Sequence, residues 1–236
     1  MSRNAYMSKE LHYLPDISVI VACYNQGQWV ERCIRSVSHQ EGFSQGTFEI
    51  LVVDDGSVDH TREVLANLTV LKNLRVLIQA TNQGLPVSLN NAIRQARGRY
   101  VIRVDADDYL NRSCLQIMKL FLDVNRHYQA VAIDYVKVDH LENTLGRFNC
   151  MEHPIACGIM FRKECLFDVG LYDPEFKMRE GHELRRRFEA KYRIGRLEFP
   201  FYKYRHHAAN RTLNREDVAI YDEKLRQMER SGNKPA

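Results

Sequence analysis

Tyr100-Val101-Ile102-Arg103-Val104-Asp105-Ala106-Asp107-Asp108 decides how this chain reads: a β-branched strand run ends in three carboxylates at the point where the chain leaves the strand. Asp105 and Asp107 flank one small residue, so in extended backbone they share a side, while Asp108 falls opposite. Two like charges on one side repel unless a divalent cation neutralises them. Oxygen ligands at low count suit Mg2+ or Mn2+ held jointly with a substrate's phosphates. The competing reading is a solvated acidic turn ahead of the helix that begins near Asn111, and an isolated Asp-x-Asp favours that turn. The surrounding chain has to overturn it.

Three strand, loop and helix units precede this stretch. Ile17 to Ala22 is an apolar β-rich run, followed by the loop Cys23 to Gly27 and by Trp29 to Val37, where Val30, Cys33, Ile34 and Val37 recur at helical spacing. Strand Phe48 to Val53, loop Asp54 to Asp59 and helix His60 to Leu68 repeat the unit. Strand Leu74 to Gln79, loop Ala80 to Leu85 and helix Pro86 to Arg97 repeat it again, with Pro86 suited to a helix first turn. Strands alternating with helices in this way predict an α/β fold: a Rossmann-like, mostly parallel sheet flanked by helices on both faces. Ligands gather outside the carboxyl ends of such strands. Every loop rich in Asn, Asp and Gly follows a strand, so Tyr24 to Gly27, Asp54 to Ser57, Thr81 to Gly84 and Asp105 to Asp108 converge on one edge.

The second half is less regular. A helix from Asn111 to Val124 and a strand from Ala130 to Val138 are expected, then an irregular polar stretch from Asp139 to Glu152. Ile155 to Phe161 resumes as apolar, Phe161 to Val169 reads as a short helix, Gly181 to Tyr192 as an amphipathic helix and Ile194 to Tyr204 as a last strand. The charged tail from Asn214 reads as a helix to about Glu229, then disorder.

At 236 residues with 44% hydrophobic and 27% charged residues, the chain has the composition of a soluble globular protein with one large domain. The net charge of +4 is mild and collects late, in Arg185 to Arg187, Lys191 to Arg196 and Lys203 to His207. It favours phosphates or an acidic membrane surface and is too weak to argue for nucleic acid. No apolar run is long enough to span a bilayer, and Met1 to Lys9 lacks a signal-peptide core, so a cytoplasmic location is expected. Six cysteines without a Cys-x-x-Cys pair read as reduced thiols packed in the core.

Other polar clusters sharpen the edge. One of Asp54 and Asp55 is expected to form an Asx-turn, leaving the other for a planar N–H such as a base imide. Asn90 and Asn91 sit inside a helix, where Asn is a poor former, so one of them should be bound to something. The segment Ala22 to Gly27 lacks both G-x-G-x-x-G and G-x-x-x-x-G-K, so a nucleotide diphosphate must be neutralised otherwise, with a metal at Asp105 and Asp107 the candidate. Arg179-Glu180-Gly181-His182-Glu183-Leu184 packs two carboxylates and an imidazole into a helix start. There a capping role competes with that of a general base. Tyr202 to His207 joins aromatics to cations, with His207 a further metal candidate.

Taken together, Ile17 to Asn25, Val52 to Thr61, Asn82 to Leu85, Ala96 to Tyr100 and Asp105 to Asp108 resemble the family 2 glycosyltransferases of the GT-A fold, over about residues 15 to 212. The resemblance implies an N-terminal extension over 1–14 and one catalytic domain over 15–212. That domain would pair a nucleotide-sugar-binding half, 15–110, with a smaller acceptor half, 111–212, and a charged helix or tail would follow over 213–236. It implies an inverting transferase that moves a sugar from a nucleotide-diphosphate sugar, commonly a UDP-sugar, to a hydroxyl of a glycan or lipid-linked acceptor with Mn2+ or Mg2+. On that resemblance Ala22, Tyr24, Asn25, Asp54, Asp55, Asn82, Gly84, Asn90, Arg103 and Asp105 to Asp108, Ala106 included, contact the donor. Asp107, Asp105 and His207 are the candidate metal ligands.

Two departures stand out. Where the family commonly has Glu-Asp with the aspartate as base, this chain reads Glu180-Gly181-His182-Glu183. Glu183 is preferred over Glu180, because Leu184 and Arg187 match the family's trailing leucine and arginine. Leu89 stands where many members carry Arg. A metal-dependent nucleotidyltransferase and a non-catalytic nucleotide-sugar-binding protein are the alternatives. A membrane carrying a lipid-linked acceptor suits the basic late segment as a peripheral partner, at its inner face.

Overall fold

The computed structural model describes residues 14–43 and 47–230; the expected N-terminal extension up to residue 13 and the last six positions lie outside the described residues. The elements are β1 (Ile17–Cys23), α1 (Val30–Ser38), β2 (Phe48–Asp54), α2 (Thr61–Asn67), β3 (Leu74–Ile78), α3 (Leu85–Gln95), β4 (Tyr100–Arg103) and β5 (Tyr109–Leu110). There follow α4 (Cys114–Val124), β6 (Ala130–Val138), β7 (Thr144–Phe148), β8 (Ile159–Arg162), α5 (Lys163–Asp168), α6 (Glu180–Glu189), β9 (Ile194–Arg205) and α7 (Arg215–Arg230).

The side chains of the central strands alternate between two cores, as a pleated sheet with both faces covered requires. Val19 and Val21 of β1, with Ile50 and Val52 of β2, face the cluster that also takes Val30, Ile34 and Val37 of α1 and Met118 of α4. Ile20, Leu51 and Val53 face the other, with Leu89 and Ile93 of α3 and Leu184 and Phe188 of α6. Each fully buried Leu or Ile there contributes about 1.5–3 kcal/mol. All six cysteines are buried and unpaired, as small core residues.

β1 pairs in parallel with β2 and β4, and β2 with β3, so the expected parallel sheet is the first half of the chain. Beyond β4 the sheet becomes mixed. β8 lies antiparallel to both β4 and β6, β9 runs parallel to β6, and β5 pairs antiparallel with β9. The stretch 139–152, expected to be irregular, contains β7, which forms a hairpin with β6. Its alternation is hidden because it is an edge strand: Leu145 is 54% exposed, and only Phe148 packs on the core. No described helix is long and apolar enough to cross a membrane.

Candidate active site

The carboxyl ends of β1 to β4 open on one edge, and the loops there are tied to each other before any ligand arrives. Three successive amides after β1 donate into the loop after β2: Asn25 N to Ser57 Oγ at 2.9 Å, Gln26 N to Thr61 Oγ1 at 2.9 Å and Gly27 N to Asp59 Oδ2 at 3.1 Å. Asn25 Oδ1 accepts in return from Val58 N at 2.9 Å. A phosphate-gripping loop needs free amides at this position, and here they are taken. That is the physical case against a nucleotidyltransferase. Ala22 is half-buried, whereas the Tyr24 ring, 44% exposed, faces outward beside these loops.

Both aspartates after β2 are occupied. Asp54 forms the expected Asx-turn, accepting Ser57 N at 2.9 Å, and its other oxygen holds Arg62 Nε at 2.7 Å. Asp55 accepts Gln83 N at 2.7 Å, Gly84 N at 2.9 Å and Gln79 Nε2 at 2.6 Å. The carboxylate expected to be left open thus shapes the 82–84 loop, with Asn82 exposed at its tip. Gly56, which follows them, is required: its φ is +74°, and a Cβ there would lie 2.6 Å from Asn82 N.

The loop after β4 separates its three carboxylates. Asp105 takes the Arg103 guanidinium with both oxygens, at 2.6 and 3.2 Å, and the same guanidinium reaches Glu180 at 2.8 Å. Burial alone would lower the Arg103 pKa, but the two carboxylates outweigh it and raise it well above the ordinary value. Asp105, expected to ligate a metal, is therefore an ion-pair partner; geometry brings only Asp107 and His207 of the expected ligands together. Asp107 Oδ2 lies 3.0 Å from His207 Nε2 and 3.4 Å from Asn210 Nδ2. Asp108 points inward, accepting Tyr202 Oη at 2.7 Å and Arg205 N at 2.7 Å; burial, with Asp107 and Asp105 nearby, raises its pKa well above the carboxylate range. Ala106 is 3% exposed, with its methyl in the core.

Among the described residues, two sets of groups bear on a cation. Asp105, Asp108 and Cys157 cluster closely, but their carboxylates are already engaged, and burial pushes the Cys157 thiol well above its usual pKa, away from the thiolate a metal requires. Asp107 and His207 present a carboxylate oxygen and an imidazole nitrogen that face each other at the rim. That donor set suits Mn2+ alongside phosphate oxygens.

At the start of α6, Glu183, the preferred base, is committed to an ion pair. That side chain is 1% exposed and bidentate to Arg187, at 2.6 Å to each oxygen, while Arg187 also donates to the carbonyls of Val169 and Leu171. It braces α6 against the loop after α5. Glu180 is the carboxylate joined to the loop after β4, through Arg103. If Glu180 stands for the family's glutamate, the aspartate's place is Gly181, where a Cβ would come 2.2 Å from the Ala156 Cβ. No side chain fits there. His182 is half-buried, and burial together with Arg179 lowers its pKa below the usual imidazole range.

Asn90 also turns out differently from its expected contact with the donor. Its amide donates to Tyr172 O at 2.8 Å and accepts Tyr172 N at 3.0 Å, locking α3 to the 170–174 turn. Asn91 donates to Gln79 Oε1 at 2.7 Å, steadying the amide that reaches Asp55. Leu89, fully buried, packs in the core. Sequence reasoning missed Trp29, Glu142, Asn210 and the role of Arg205. Arg205 was visible only as part of a basic, aromatic run, yet it is a fully buried guanidinium lying 4.5 Å above the Trp29 ring.

The chain is similar to known proteins over this same region. The family model described as Glycosyl transferase family 2 matches residues 18–208. Poly(ribitol-phosphate) beta-N-acetylglucosaminyltransferase TarS of Staphylococcus aureus is 36% identical over 121 residues, covering 51% of this chain and 21% of the relative. Succinoglycan biosynthesis protein ExoO of Rhizobium meliloti is 31% identical over 191 residues, covering 77% of this chain and 53% of the relative. The chain thus spans about half the length, or less, of these curated relatives. The crystal structure of S. aureus TarS 1-349 in complex with UDP-GlcNAc superposes with a TM-score of 0.73 at 25% identity, covering 84% of this chain and 61% of that one. Mannosyltransferase PcManGT from Pyrobaculum calidifontis, in complex with GDP-Man and Mn2+, shares the fold with a TM-score of 0.73 at 20% identity, covering 94% and 66% of the two chains. Family match, fold and loop geometry agree: this chain belongs to glycosyl transferase family 2 and has the GT-A fold of its solved relatives.

Proposed function

We propose that the chain transfers a sugar, with inversion, from a nucleotide-diphosphate sugar to a hydroxyl of a glycan or lipid-linked acceptor, within one catalytic domain over 15–212. A UDP-sugar is the favoured donor, since relatives solved with UDP and UDP-GlcNAc superpose on 81% and 84% of the chain. The observation that carries the reading is the Asp107 and His207 pair, 3.0 Å apart, at an edge where the amides after β1 are already bonded. A diphosphate placed there needs a cation, and Asp107 with His207 would hold Mn2+ or Mg2+. When bound, the cation supplies positive charge that offsets the charge developing on the leaving diphosphate.

The chain's own residues do the rest. Tyr24 offers a ring face to the base, and Asp55 fixes the 82–84 loop beside it. Arg103 holds Asp105 toward the donor and Glu180 toward the acceptor. Glu180 accepts the proton of the attacking hydroxyl at its carboxylate as Arg103 shifts toward the donor's negative charge. The site works in the cytoplasm, with the basic late segment suited to the inner face of a membrane carrying a lipid-linked acceptor.

The test is a panel of nucleotide sugars presented to the purified protein with Mn2+ or with chelator, reading thermal shift and donor hydrolysis. A UDP-sugar should stabilise the protein and turn over with Mn2+ alone. If no donor raises the unfolding temperature with Mn2+ present, the reading fails.

A further inference from the structure

We propose that Glu142, at the tip of the β6–β7 hairpin, is a positioning residue for the cation ligands Asp107 and His207 and acts through Arg205. This rests on the cation reading above. The hairpin turn is built to aim Glu142. Asp139 Oδ1 accepts Leu141 N and Asn143 N, both at 2.9 Å, and Glu142 sits at φ +67°, a conformation a glutamate adopts only when its surroundings impose it. Its carboxylate turns back over the protein. One oxygen takes Arg32 Nε at 3.0 Å and Arg205 Nη2 at 2.9 Å, and the other takes Arg32 Nη2 at 3.1 Å. The two arginines hold the Glu142 pKa down at about 2, so it is an anion at any working pH.

Arg205 is what this anion controls. Its Nε donates to Asp107 O at 2.9 Å, its backbone N holds Asp108 Oδ1 at 2.7 Å, and its guanidinium lies over the Trp29 ring, which in turn contacts the His207 ring at 5.4 Å. One buried cation therefore touches the backbone of the first ligand and the ring that backs the second. A buried guanidinium must find a counter-charge. Asp108 is taken by Tyr202 and the Arg205 amide, so without Glu142 the guanidinium is left to the carboxylate of Asp107, the residue whose carbonyl it already holds. Arg205 paired there would compete with the divalent cation. Glu142 keeps the guanidinium on the Asp107 carbonyl and leaves the carboxylate to the metal.

The test is Mn2+ binding by the full chain in the presence of UDP, followed by the EPR signal of free Mn2+, with thermal unfolding recorded alongside. Glu142→Gln should weaken Mn2+ binding about tenfold, and Glu142→Asp, which keeps the charge on a shorter stem, should fall between it and the parent. Asp134→Asn breaks a half-buried pair with Arg196 that joins the same two strands, β6 and β9, away from the site. It should lower the unfolding temperature yet leave Mn2+ affinity within about twofold. The proposal is overturned if Glu142→Gln and Glu142→Asp both bind Mn2+ like the parent, or if Asp134→Asn weakens binding as much as they do. Asp107→Asn serves as the reference: if it binds Mn2+ normally, the cation reading fails, whatever Glu142 does.

Discussion

The loop after β4 and the start of α6 both carry the carboxylates of the site, and they are neutralised in opposite ways. Asp107 faces an imidazole, a side chain that can also ligate a metal. Glu180 and Glu183 face guanidinium groups, which cannot. If the proposed cation site holds, the donor side exchanges this partner for a metal without moving backbone. On the acceptor side, charge is cancelled within the protein, and Glu180 is released only if Arg103 turns to the donor. On the proposed mechanism, donor binding and activation of the acceptor are linked through that one arginine.

The sharpest way to break this contrast is Glu183→Gln. A buried carboxylate bidentate to Arg187 is structural if the comparison holds, so its loss should cost about 3 kcal/mol of stability in denaturant unfolding. The folded variant should keep its kcat; a large kcat loss at full stability would return the base to Glu183. Asp107→Asn should lower the transfer rate by about 10²–10³-fold, equivalent to about 3–4 kcal/mol, and abolish the response to Mn2+. A Glu180→Gln enzyme should lose about 10²-fold in kcat with donor KM unchanged. If KM rises instead, Glu180 serves donor binding and the division of labour between the two regions is wrong.

Asn90→Ala probes the brace between them. Losing two buried hydrogen bonds to the Tyr172 backbone should cost about 1–2 kcal/mol of stability, read by denaturant titration, without weakening the donor complex. The smallest expected effect is with acid. Glu142 is held down from 4.5 to about 2, so its ion pairs contribute stability that is complete above its unfolded value and is lost as pH falls from about 4.5 toward about 2. Thermal unfolding followed over that window should show a shallower decline in Glu142→Gln than in the parent.

Strand and helix order was legible because period-two and period-3.6 patterns are local, and β1 to α3 stand where the hydrophobic spacing predicts them. The convergence of four polar loops followed from the same order, since parallel strands put their carboxyl ends on one side. β7 was not legible, because an exposed edge strand carries little hydrophobic alternation. The site residues divided along the same line. That Asp107 and Asp108 have different fates follows from one residue of separation. That His207 meets Asp107 is a contact across 100 residues, and only packing of the segment after β9 makes it.

The amino-acid sequence by itself determined the α/β order, the edge on which ligands gather and the absence of a phosphate-gripping loop, all of which depend on neighbours in the chain. Tertiary structure alone decided which carboxylates are open. Asp55, Asp105, Glu180 and Glu183 look alike in sequence, and their availability depends on whether Gln79, Arg103 or Arg187 reaches them. Charge pairing at hydrogen-bond distance is set by which segments pack together, and short-range spacing does not encode it.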